Sequence, residues 1–133
     1  MFISLNFSSG VPLYRQLLQQ LRERIASGQL GSGEQLPSVR DLSAQVKINP
    51  LTVAKVYQYL EREGLVETRR GLGTFVASQT RVSSLAARRE QLEPALRQLV
   101  TEAMHLRLEE SDVRELLRQT FQKLSPQPDQ THE

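Results

Sequence analysis

Pro37–Gly64 reads P-S-V-R-D-L-S-A-Q-V-K-I-N-P-L-T-V-A-K-V-Y-Q-Y-L-E-R-E-G, and two helix starts follow one another in it at the spacing of a helix-turn-helix. Ser38 suits an N-cap, and Asp41 three residues later approximates the return half of a capping box. Val39, Leu42 and Val46 then fall on one face, and this first helix is expected to stop around Val46–Ile48. Asn49 caps a second helix whose first position is Pro50, where the missing N–H costs nothing. That helix runs to Glu63 and stops at Gly64. Val53, Val56, Tyr57 and Leu60 recur at helical spacing and form its core stripe. Leu51, Thr52, Lys55, Gln58 and Arg62 lie away from that stripe. The first three project from the N-terminal part of the helix, the part that reaches base edges in helix-turn-helix docking.

Working outward, Leu65–Thr68 and Thr74–Ala77 are short β-prone runs separated by R-R-G-L-G, whose two glycines suit a tight reversal. The pattern predicts a β-hairpin, a wing, with Arg69 and Arg70 at its tip. Paired arginines there suit phosphate contact or entry into the minor groove. Taken alone, the two arginines read better as a solvated turn, and it is the preceding helix pair that favours the wing.

These motifs carry a resemblance. G-Q-L-G-S-G-E-Q-L-P-S-V-R-D-L-S, N-P-L-T-V-A-K-V-Y-Q-Y-L-E-R-E-G-L-V and R-R-G-L-G-T-F-V occur in the order and spacing of the winged-helix domain of GntR-family bacterial transcription regulators. The resemblance covers about residues 11–77. The V-P-L-Y-R-Q-L opening and the short tail resemble the YtrA-like branch, which the resemblance implies carries a small helical dimerisation segment after the DNA-binding domain. It further implies DNA contacts from Arg40, Asn49, Thr52, Arg69, Arg70 and the Gly71 backbone, to which Ser38, Leu51 and Lys55 are added as candidates from their place on the two helices. Two positions depart from the family pattern. Lys47 stands where a turn glycine is frequent, and a side chain fits there less readily if φ is positive. Leu51 stands where a polar or basic residue is usual, and an apolar side chain there suits a thymine methyl.

Toward the N-terminus, Phe2–Phe7 partly alternates and reads as a short strand or an extended arm. Pro12 opens an amphipathic helix in which Tyr14, Leu17, Leu18, Leu21 and Ile25 form one stripe, and Gly28 ends it. The glycine-containing link that follows is expected to turn Leu30 and Leu36 inward. Toward the C-terminus, the polar Ser78–Arg81 marks the expected domain boundary. Leu85, Leu92, Leu96, Leu99, Ala103 and Leu106 continue a helical stripe straight through Pro94, which predicts one kinked helix, with two helices broken at Glu93 as the alternative. Glu109–Ser111 is read as a turn, with Ser111 capping a last helix that bears Val113, Leu116, Leu117, Phe121 and Leu124. The remaining polar tail, 127–133, reads as disordered.

The chain is therefore expected to be mainly α with a small β-hairpin: a winged helix-turn-helix domain over 1–78, then a two-helix dimerisation segment over 79–126. Two amphipathic helices cannot enclose a core by themselves. They must pack on the winged helix, on a second copy, or on both, and a homodimer fits best, with Leu85, Leu92, Leu96, Leu99, Ala103, Leu106, Leu117 and Phe121 assigned to its interface. Two recognition helices related by a two-fold would read a pseudo-palindromic operator with half-sites ~34–36 Å apart.

Composition bounds the rest. With 133 residues, no cysteine and a net charge of +2, disulfides and thiol catalysis are excluded, and the chain buries only a modest core. Residues 1–82 hold ten Lys/Arg against six Asp/Glu, whereas 83–133 hold seven against nine, which puts the excess positive charge in the winged-helix half. Apolar stretches are interrupted by charge and no signal-peptide pattern opens the chain, so a cytoplasmic protein without membrane spans is expected. His105 and His132 do not form a metal or acid–base constellation, and Gly71-x-Gly73 is too short for a dinucleotide fingerprint. The expectation is a DNA-binding regulator, a repressor, with no cofactor and no metal, rather than an enzyme or a winged helix that binds only protein. Any small-molecule effector is expected between the helical tail and the winged helix or at the dimer interface.

Overall fold

The computed structural model describes residues 3–78 and 84–125. The elements are α1 (Leu13–Ser27), α2 (Val39–Val46), α3 (Pro50–Arg62), β1 (Val66–Arg69), β2 (Gly73–Val76), α4 (Leu85–His105) and α5 (Glu110–Leu124). The chain separates into two compact units, Met1–Ser78 and Gln79–Glu133. The expected tail 127–133, with His132, and Gln79–Arg81 of the expected boundary lie outside the described residues.

In the first unit the periodicities close onto one core. Leu17 and Leu21 of α1, Leu42 and Val46 of α2, and Val53, Val56, Tyr57 and Leu60 of α3 are buried together with Val66 and Val76 of the hairpin. Leu30 and Leu36 turn inward, as expected of the glycine-containing link. Each such side chain, fully withdrawn from water, stabilises the fold by about 1.5–3 kcal/mol before the entropy of ordering is subtracted.

Local chemistry sets the ends of these helices. Pro12 proves to be the N-cap of α1 rather than its first residue, and its carbonyl accepts from the Arg15 and Gln16 amides. Ser38 Oγ accepts from the Asp41 amide at 3.0 Å to start α2. At the end of α3 the Leu65 N–H reaches the Leu60 carbonyl and the Gly64 N–H reaches that of Glu61, the paired bonds of a Schellman motif. The end of α2 is less ordinary. Lys47 adopts the left-handed conformation, φ 60° and ψ 46°, a region in which the Cβ crowds the following carbonyl. Ser43 holds it there: its carbonyl accepts from the Lys47 and Ile48 amides, and its hydroxyl donates to the Ile48 carbonyl.

The N-terminal residues 3–7 form no strand. Ile3 and Leu5 pack on the core, while the backbone of Ser4 bonds the Gln20 side-chain amide and that of Asn6 bonds Gln16. The alternation in the sequence is thus an inward-outward pattern satisfied by two glutamines of α1 rather than by a neighbouring strand.

The wing strands pair antiparallel with Val66 opposite Val76, Glu67 opposite Phe75, Thr68 opposite Thr74 and Arg69 opposite Gly73. Both strands lie one residue closer to the turn than the β-propensity placed them, because the ladder extends as far as a Gly71-centred turn permits. Arg69 is therefore the last strand residue and not part of the tip.

In the second unit, α4 is a single helix running through Pro94, capped by Ser84. The two-helix alternative does not occur. Ser111 is not the cap of α5. The cap lies two residues earlier at Glu109, where the Asp112 carboxylate accepts from the Glu109 amide at 2.9 Å. Glu110 and Asp112 then occupy the first turn, where acidic side chains complement the helix dipole. Apart from Ala103, which is 6% exposed, the assigned interface residues Leu85, Leu92, Leu96, Leu99, Leu106, Leu117 and Phe121 are exposed in the single chain. Val100, Met104 and Leu116 add to this apolar surface. Among the described residues no helix is long and apolar enough to cross a membrane, and no group of acidic or histidine side chains is arranged to hold a metal ion.

Candidate nucleic-acid interface

The N-terminal turn of α3 is built by its cap. Asn49 Oδ1 accepts from the Leu51 amide at 2.8 Å, Pro50 sets the first helical φ, and the Asn49 carbonyl receives the Thr52 amide. With Val53, Val56 and Leu60 wholly buried on one stripe, Leu51 emerges on the opposite one and is 76% exposed. Thr52, about a quarter-turn round the helix, is half-buried. The positive end of the α3 dipole coincides with this turn and favours an anionic neighbour. Helix phase is fixed in the middle of α3 by Tyr57, whose hydroxyl donates to the Pro37 carbonyl at 2.7 Å. Burial pushes that phenol's pKa well up, so the donor stays protonated.

Lys55 lies one turn beyond Leu51, but its ammonium sits over the Tyr14 ring at 5.8 Å. Tyr14 in turn stacks on Tyr59, and the Arg62 guanidinium lies over the Tyr59 ring. In the free protein Lys55 therefore leans toward α1. A cation–π contact at such an exposed place holds about 0.5–1 kcal/mol, small enough for a phosphate to displace.

At the start of α2 the Ser38 hydroxyl is engaged as a cap. Arg40 is exposed and has no side-chain partner among the described residues.

On the wing the two arginines differ. Arg69 is engaged twice: its guanidinium forks onto Glu67 Oε2 through Nε at 3.1 Å and Nη2 at 3.0 Å, and it lies 4.2 Å from the Phe75 ring centre. Arg70 stands in the turn, exposed, with no partner among the described residues. The Leu72 amide closes that turn onto the Arg69 carbonyl, with Gly71 at φ 77°, a sign of φ that glycine adopts without strain. Of the two arginines expected together at the tip, Arg69 is thus a tethered cation at the end of β1 and Arg70 alone stands in the turn.

Several supporting residues were not singled out from sequence. Glu67 could have been, because residues two apart on a strand share a face and Glu67 therefore lies beside Arg69. Gln35, which bonds the wing from the linker, and Ser43, which pins the helix-turn-helix turn, have no periodic signature.

Residues 13–76 match the family described as bacterial regulatory proteins, gntR family. The chain is 33% identical over 117 residues to the HTH-type transcriptional repressor YtrA of Bacillus subtilis, covering 88% of this chain and 90% of that one. Among solved structures it resembles YtrA from Sulfolobus acidocaldarius, a GntR-family transcription factor, at 30% identity and a TM-score of 0.61, over 79% of this chain and 99% of that one. A transcriptional antiterminator from Listeria monocytogenes matches with a TM-score of 0.83 at 29% identity, over 100% and 98% of the two chains. With its helix-turn-helix and wing matched as one block and a relative matched along nearly its whole length, the chain belongs to the gntR family of bacterial transcription regulators.

Proposed function

We propose that this chain is a sequence-specific repressor that binds a pseudo-palindromic double-stranded DNA operator as a homodimer in the cytoplasm. Residues 1–78 bind DNA in this reading, and residues 79–126 join the two copies. The observation that carries it is the exposed leucine at the second position of a capped helix whose opposite stripe is wholly buried. A large apolar side chain held in water gains nothing from folding, whereas thymine presents a C5-methyl group in the major groove. Asn49 and Thr52 flank that side chain. Arg40, Arg70 and the Gly71 backbone supply phosphate contacts around it, joined by Ser38, Lys55 and Arg69 if these leave their present partners. The similarity to a protein named a transcriptional repressor supports the direction of regulation. The homodimer rests on the apolar surfaces of α4 and α5, which the single chain leaves open to water.

Selecting bound fragments from genomic DNA tests this directly, followed by titration of the selected site in salt. The expected result is an inverted repeat and a linear fall of log K with log salt, by about 0.9 per phosphate neutralised. Recovery of random fragments only, or an affinity indifferent to salt, refutes the reading.

A further inference from the structure

The wing does not stand on its two strands alone. The linker residues 34–36 lie antiparallel along β2 through a single bridge: the Val76 amide donates to the Glu34 carbonyl, the Leu36 amide to the Thr74 carbonyl, and Gln35 stands opposite Phe75. Beyond that backbone pairing Gln35 sends its side chain toward the tip, where Nε2 donates to the Leu72 carbonyl at 2.8 Å. The amide crosses the Cα of Gly73 so closely that a Cβ there would stand 2.6 Å from Nε2, and Gly73 itself has φ 128°. Glycine is thus required at 73 twice over, by its backbone conformation and by the glutamine laid across it. In the turn between the strands, Arg70 and Gly71 have no such support from outside the hairpin among the described residues.

We infer that Gln35 is a positioning residue for DNA binding, which fixes the wing tip so that Arg70 meets the phosphate backbone in one orientation. The inference rests on the DNA-binding reading above. A two-stranded ribbon is marginally stable in water and its tip samples many directions. A bond from the domain body to the last turn residue removes that freedom before DNA arrives, so less ordering entropy is lost on binding. Gln35 need not touch DNA to do this.

The test is a cycle on the full-length chain with Gln35→Met, Arg70→Ala and the double variant, each titrated against the selected operator with its melting temperature recorded. Methionine keeps the length that lies over Gly73 and removes only the donor. The expected loss for Gln35→Met is roughly three- to tenfold in affinity, the worth of one hydrogen bond. In the Arg70→Ala background the same change should cost less than twofold, because the cation it positions is absent. Gln35→Lys, which restores a donor, should recover the affinity. A general folding defect would persist in both backgrounds. An undiminished loss beside Arg70→Ala, or wild-type affinity in Gln35→Met, overturns the inference. If the wild type binds no operator at all, the DNA-binding reading fails, and this inference with it.

Discussion

Replacing Lys47 offers a sharp test of how the helix-turn-helix turn is held. Its φ of 60° places a Cβ-bearing residue in the left-handed region, which costs about 1–2 kcal/mol relative to the right-handed one. Glycine escapes that cost but gives up about 0.5–1 kcal/mol through the greater freedom of its unfolded chain. Comparison with the wild type would mix in the loss of a cation at the C-terminus of α2, where positive charge contributes about 0.3–1 kcal/mol. Lys47→Gly should therefore be compared with Lys47→Ala, since both remove the charge. The midpoints of the two backbone terms differ by about 0.75 kcal/mol, which predicts the glycine variant to be the more stable by that amount. For a unit of this size that corresponds to roughly 3–6 °C in melting temperature. Urea unfolding followed by circular dichroism gives the free energies, and calorimetry gives the midpoints. If the alanine variant equals or exceeds the glycine variant, the turn does not hold this position left-handed in solution, and the Ser43 bonds do not impose that conformation.

Other substitutions test the interface and its frame. Leu51→Asn should leave the melting temperature nearly unchanged and alter the preferred base at one position in each half-site by roughly 1–3 kcal/mol; a strong loss of stability with unchanged preference would put Leu51 in the core. Arg70→Ala should reduce the salt slope by about one contact, whereas Arg69→Ala should leave the slope nearly intact and weaken the hairpin. Identical slope changes would mean that Glu67 surrenders Arg69 to DNA. Tyr57→Phe removes the bond to the Pro37 carbonyl and should cost about 1–2 kcal/mol in urea unfolding, and an unchanged midpoint would argue against that bond. Truncation after Ser78 should leave a folded, mainly monomeric protein with much weaker operator binding. A truncated chain that still sediments as a dimer would remove the case for α4 and α5 as the interface.

Much of the first unit was legible because its signals are local. Ser38, Asn49 and Gly64 act through bonds to residues within a turn or two, and the stripe from Val53 to Leu60 follows from helical geometry alone. The same reasoning misplaced the start of α5, since Ser111 is the better cap in isolation. Asp112, at the third helical position, instead closes its bond onto Glu109. The strand ends moved because hairpin register is decided by the turn, and β-propensity does not see the turn. What sequence could not disclose was the set of side-chain amides, Gln16, Gln20 and Gln35, that bond to backbone far along the chain. Their partners are chosen by the folded path, and a glutamine on a helix face or in a linker looks the same whether it has such a partner or only water.

The bond from Gln35 to the Leu72 carbonyl spans 37 residues of sequence, and this gives the wing a place in time as well as in space. Closing a loop of that length is entropically unfavourable until α2 and α3 have folded back and brought its ends together. The hairpin they would receive is too small to persist unaided. During synthesis the tip should therefore be the last part of its unit to settle. On gradual loss of structure it should also be the first to go, with amides around Leu72 exchanging with solvent faster than those of α3. Competence to grip phosphate would then appear only when the whole unit has formed, so that a half-made chain cannot occupy an operator.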